Sequence, residues 1–97
     1  MRLAPHEIAS IKAAAAEAFG PDAVVRLFGS RVDAAQRGGD IDLHIECRGG
    51  RPSARVAAAF RTDLVAQLGE RAIDIVFHAP DDTVRAIDRA AYAGVAL

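Results

Sequence analysis

Apolar positions recur along the chain at two periods, and the alternation of these periods sets out the elements. From Pro5 to Phe19, Ile8, Ile11, Ala15 and Phe19 share one side at helical spacing, and Gly20-Pro21 ends the run, which predicts a first helix. Val24 to Phe28 reads as a short apolar strand, and Gly29-Ser30 turns the chain into a brief helix through Ala35 and Gln36. Gly38-Gly39 leads into a second strand, in which Asp40, Asp42 and His44 alternate with Ile41, Leu43 and Ile45. A period of two puts the carboxylates on one face and the aliphatics on the other.

Arg48-Gly49-Gly50-Arg51-Pro52 reads as a loop, and Ser53 is placed to cap a long helix to Leu68 with Gly69 as its stop. Val56, Phe60, Leu64 and Leu68 form its core side, with Arg55, Arg61 and Asp63 on a solvated face. Ala72 to Phe77 reads as a buried strand whose one charge is Asp74. A last helix is expected from Pro80-Asp81-Asp82-Thr83 to Ala91, with Asp81 and Asp82 as caps and Val84, Ile87 and Ala91 as its buried stripe. Gly94 to Leu97 closes as an edge strand or a tail.

Composition narrows the class. Ninety-seven residues suit one domain over positions 1–97, with a modest core and little surface to enclose a second substrate, so a partner is expected to supply the rest. A formal charge of −1 gives no global basic field and argues against broad nucleic-acid binding. Cys47 is the sole cysteine, read as a small core or rim residue, so the chain fits a reducing cytoplasm. No signal peptide and no apolar run of membrane-spanning length is visible, and His6 is read as an exposed polar residue.

The candidate chemistry lies between Leu27 and Glu46. Residues two apart on a strand stand roughly 6.6 Å apart, and two carboxylates at that distance repel by about 2.5 kcal/mol at an effective dielectric near 20. Water offsets this at an exposed strand end; a divalent cation such as Mg²⁺ offsets it in a cleft. If the Asp74 strand lies beside the Asp40 and Asp42 strand, three carboxylates converge on one or two such ions, as phosphoryl transfer requires. Gly29 permits close approach of the backbone to a ligand, Ser30 offers a hydroxyl, and amides at a helix start favour phosphate. Arg26, Arg31 and Arg37 lie close to this turn in sequence, facing either a polyphosphate or solvent.

Gly29-Ser30, Asp40-Ile41-Asp42 and a later Asp74 together resemble the nucleotidyltransferase superfamily of DNA polymerase β, and the length and the Leu-Phe-Gly-Ser-Arg to Gly-Gly-Asp-Ile-Asp-Leu run resemble its minimal members. The resemblance covers nearly the whole chain and implies an α/β (α+β) fold, a small mixed sheet backed by helices like the polymerase palm core. It implies that Gly29 and Ser30, with Arg31, grip the phosphates of ATP, that Asp40 and Asp42 hold two Mg²⁺ ions, and that Asp74 shares a metal and helps deprotonate the acceptor. Minimal members often pair with a helical HEPN-class toxin encoded in the adjacent gene, acting as its antitoxin, and some transfer AMP to a toxin tyrosine. Two departures stand out. Val32-Asp33-Ala34 replaces the Ala-Arg-Gly common after the Gly-Ser turn, leaving Arg31 or Arg37 to substitute, and His44 takes a position often aliphatic in relatives. His44 is read as a sheet residue satisfied by hydrogen bonds, or else as a group near the nucleotide or acceptor.

Two functions follow from this reading. One is an Mg²⁺-dependent enzyme moving AMP from ATP onto a hydroxyl of a partner protein; the other is a non-catalytic antitoxin that neutralises its partner by covering it. A small-molecule acceptor is a third, and the pattern leaves room for a homo-oligomer.

Overall fold

The computed structural model describes residues 3–29, 41–69 and 73–97. Among these, three helices and four strands follow in the order α1 (Pro5–Phe19), β1 (Val24–Phe28), β2 (Ile41–Glu46), α2 (Ala54–Leu68), β3 (Ile73–His78), α3 (Ala86–Tyr92) and β4 (Val95–Ala96). The fold is a small mixed α/β arrangement, as expected. The sheet runs β3-β2-β1-β4. β1 is antiparallel to both β2 and β4, whereas β2 and β3 are parallel, joined through the α2 crossover.

The alternation in β1 and β2 decides which face is covered by what. Val25, Leu27, Leu43 and Ile45 are buried on one face and join Ile11, Ala14, Ala15, Phe60, Leu64 and Leu68 from α1 and α2 in a single core. Each fully buried Leu, Ile or Phe here contributes about 1.5–3 kcal/mol. Phe19 ties the layers together, its ring edge-on to Phe60 at 4.8 Å and to Phe77 at 5.4 Å. Local signals fix the helix ends. Pro5 opens α1 where no amide partner is needed, and Glu7 Oε1 accepts the Ala4 N–H at 2.9 Å. Ser53 Oγ accepts the Val56 N–H at 3.2 Å to cap α2. Cys47 is buried in the core, and burial pushes its thiol up against the opposing charge of Arg51. Among the described residues, no helix is long and apolar enough to cross a membrane.

Two sequence expectations are corrected at α3. The helix begins at Ala86, after Arg85, and Asp82 instead closes the preceding turn: its Oδ2 accepts the Ala79 N–H at 3.0 Å and pairs with Arg51. Val84 and Ile87, expected in the buried stripe, are 43% and 41% exposed; the buried residues of α3 are Asp88 and Ala91. The reason is that α3 covers the polar face of the sheet, so the side it turns inward must carry a hydrogen-bonding group.

Candidate functional site

The face opposite α1 and α2 carries the residues that alternate with the core. Register sets them in rows across the strands: Phe28, Asp42 and Asp74; then Arg26, His44 and Val76; then Val24, Glu46 and His78. Asp42 and Asp74 are therefore direct neighbours on adjacent parallel strands, about 4.8 Å apart at the backbone. The second and third rows lie under α3.

Gly29 completes the acidic end. It follows β1 with φ +76°, a left-handed conformation that side chains rarely adopt, and a Cβ built on it would meet Asp42 Oδ2 at 2.6 Å. The residue must be glycine on both counts, because the backbone of the turn is laid directly against the Asp42 carboxylate. Asp42 is half-buried and Asp74 exposed. That corrects the expectation of a buried Asp74: among the described residues β3 is the outer strand of the sheet, and α3 does not extend over its first residues.

Ser30, Arg31, Arg37 and Asp40, together with the brief helix expected through Gln36, lie outside the described residues. Among the described residues, no group of three or more His, Cys, Asp and Glu gathers as a metal site. Asp42 and Asp74 do provide two hard oxygen donors side by side, the donor chemistry that Mg²⁺ takes, beside Gly29, which carries no side chain. Arg26 does not face the turn; it pairs with Glu46 at 2.9 Å and lies over the Tyr92 ring at 5.0 Å.

Behind the aspartates is a buried polar cluster in which only His44 stood out in the sequence. Asp88 is fully buried, and its Oδ1 accepts from His44 Nε2 at 2.8 Å. With the carboxylate ionised, Nε2 carries the proton of His44. Arg85 Nε donates to Asp88 Oδ2 at 3.0 Å and the Arg85 backbone N–H donates to the same oxygen at 2.8 Å. His78 Nδ1 stands 3.3 Å from Oδ2 without forming an aligned hydrogen bond, and the buried Nδ1 of His44 has no partner among the described residues. Burial alone would push the Asp88 carboxyl up; the hydrogen bonds from Arg85 and His44 outweigh it and hold the group well below the usual carboxylate range. The two imidazoles stack at 6.1 Å, and Tyr92 stands edge-on to His44 at 5.6 Å. His44 is thus a buried sheet residue held by a hydrogen bond, and His6 is exposed.

Asp88, Arg85 and His78 escaped the sequence reading because each looks ordinary in isolation. One signal was available: Asp88 precedes Ala91 by three residues, which places it on the same helix side as a buried position.

No protein-family model matches the chain, and no curated protein matches it.

Proposed function

We propose that this protein is an Mg²⁺-dependent nucleotidyltransferase that moves AMP from ATP to a hydroxyl, with the tyrosine of a helical HEPN-type partner as the acceptor, and that it acts as an antitoxin in the reducing cytoplasm. The observation that carries the reading is the packing of the Gly29 backbone against Asp42, with Asp74 as the neighbour of Asp42 across the parallel pair. Glycine lets a backbone approach a triphosphate closely, and carboxylates beside it suit the metal ion that would accompany the phosphates; a glycine held at positive φ against an aspartate offers both.

In this reading Asp42 and Asp74, with Asp40 from the sequence motif, would hold Mg²⁺, which supplies charge neutralisation on the attacking and leaving oxygens. The Gly29 turn, followed in sequence by Ser30 and Arg31, binds and orients the phosphates. The acceptor oxygen bonds to the α-phosphorus of ATP, the bond from that phosphorus to the bridging oxygen breaks, and pyrophosphate leaves. Asp74 is exposed, so it can reach an acceptor brought by a partner and help take the hydroxyl proton. The His44–Asp88 cluster holds α3 on the sheet and keeps the strands beneath the aspartates in register. The test is incubation with labelled ATP, Mg²⁺ and the product of the adjacent gene, read by intact mass of both chains. One AMP added to the partner supports the reading, and unmodified chains throughout would refute it.

A further inference from the structure

β3 is the outermost strand on its side of the sheet among the described residues, so one edge of its backbone faces away from β2. Its direction can be read from one bond. Cys47 N–H donates to His78 O at 2.8 Å, so the His78 carbonyl faces β2, and so by the period of two do those of Val76 and Asp74. The carbonyls of Ile73, Ile75 and Phe77 face outward. An outward row of backbone groups on a six-residue strand is a template for pairing with another chain.

Two of those three carbonyls are already taken by arginines. Arg61 Nη1, from α2, donates to Ile73 O at 2.6 Å, and Arg85 Nη2, from the turn before α3, donates to Phe77 O at 2.9 Å. The two acceptors are four residues apart, about 13 Å along the strand. The two arginines reach the edge from opposite layers, because α2 packs on one face of the sheet and α3 on the other. A guanidinium therefore enters the plane of the sheet near each end of β3, the plane that an incoming strand would need. A second copy of this chain brings the same two cations, so pairing edge to edge would set like charges against each other as well as displacing two charge-assisted hydrogen bonds.

We propose that Arg61 and Arg85 close the β3 edge against antiparallel pairing with the β3 edge of a second copy, the self-complementary partner that a bare edge would attract. This holds whatever reaction the aspartates perform. Arg85 also binds Asp88, whereas the hydrogen bond described for the Arg61 side chain goes to the edge, so Arg61 is the position that tests the idea cleanly.

The experiment is sedimentation velocity over a concentration series on wild type, Arg61→Leu and Arg61→Lys, with residue-resolved amide hydrogen exchange. Arg61→Leu is expected to self-associate at least roughly tenfold more strongly than wild type, and to gain protection at the outward amides of Ile73 and Ile75, at the end of the edge that Arg61 covers. Arg61→Lys, which keeps a cationic donor, is expected to behave as wild type. Adding Ile75→Pro to Arg61→Leu removes an outward N–H without costing a bond to β2 and should abolish the association. Should Arg61→Leu fail to fold, Arg61→Gln is read in its place. Association of Arg61→Leu no stronger than wild type, association without new protection at Ile73 and Ile75, or the same amides already protected by pairing in wild type would each overturn the proposal.

Discussion

Gly29 and Asp42 share a space too small for a methyl group: a Cβ on Gly29 would stand 2.6 Å from Asp42 Oδ2. The positive φ of Gly29 and the half-buried carboxylate of Asp42 are thereby parts of one arrangement at the end of β1 and the start of β2. Gly29→Ala should lose about 1–2 kcal/mol from the left-handed backbone alone. It should also push the Asp42 side chain aside, so calorimetric titration should show ATP binding weakened in a protein that still folds. Unchanged affinity in folded Gly29→Ala would detach the turn from the site.

Divalent cation should raise thermal stability, since a ligand of the native state alone contributes RT ln(1 + [L]/Kd). At a Mg²⁺ concentration of about 100 Kd that is about 2.7 kcal/mol. Asp42→Asn and Asp74→Asn should each reduce the shift in melting temperature, because each removes a charged oxygen donor. An equal response in wild type and the Asp42→Asn/Asp74→Asn double variant would place any bound cation elsewhere.

Asp88 is the anion on which the α3 contact is built. Asp88→Ala leaves the exposed Arg85 to solvent but the buried His44 Nε2 without its acceptor, and an unsatisfied buried polar group costs on the order of 1–3 kcal/mol. Denaturant unfolding measures this directly. A loss below about 1 kcal/mol, the range of surface ion pairs, would mean that α3 is held by its apolar contacts instead.

The same carboxylate gives a pH dependence of definite sign. Its pKa is depressed in the folded state, so its contribution is fully present above the unfolded value, about 3.9, and is lost as pH falls through the lower folded value. Wild type should therefore lose stability more steeply than Asp88→Asn below about pH 4. Parallel acid-unfolding curves for the two proteins would contradict the assignment.

Much of this arrangement was legible in the chain. The bounds of α1, β1 and α2 follow from the helical spacing of Ile8, Ile11, Ala15 and Phe19, from the stop at Gly20-Pro21, and from the Ser53 cap. Asp42 and Asp74 come together only if their strands are neighbours, a condition that the spacing alone left open and that the parallel β2–β3 register meets. Hydrophobicity alone does not decide burial here. Ile87 looks like core and is exposed, because α3 packs on the polar face of the sheet, where Asp88 meets His44, and Val84 lies before the helix begins. Asp74 looked buried because its neighbours are aliphatic, yet it sits on the outer strand among the described residues, where one-sided cover leaves it in water. Arg61 was assigned to solvent, and no local pattern could reveal that it reaches the carbonyl of Ile73, twelve residues along the chain.

The most direct measurement of the proposed chemistry compares nucleotidyl transfer by wild type, Asp42→Asn and Asp74→Asn, with co-purification of the adjacent-gene product as the control for binding. Two-metal transfer depends on carboxylates that stabilise charge in the transition state, whereas an interface is carried by a few packed anchors. Both variants are expected to retain the partner while the rate of AMP transfer falls by at least roughly a hundredfold, the scale on which removal of one transition-state electrostatic contact acts. Transfer at the wild-type rate in both variants, or no transfer by any of the three proteins while the partner is bound and neutralised, would contradict catalysis by these aspartates.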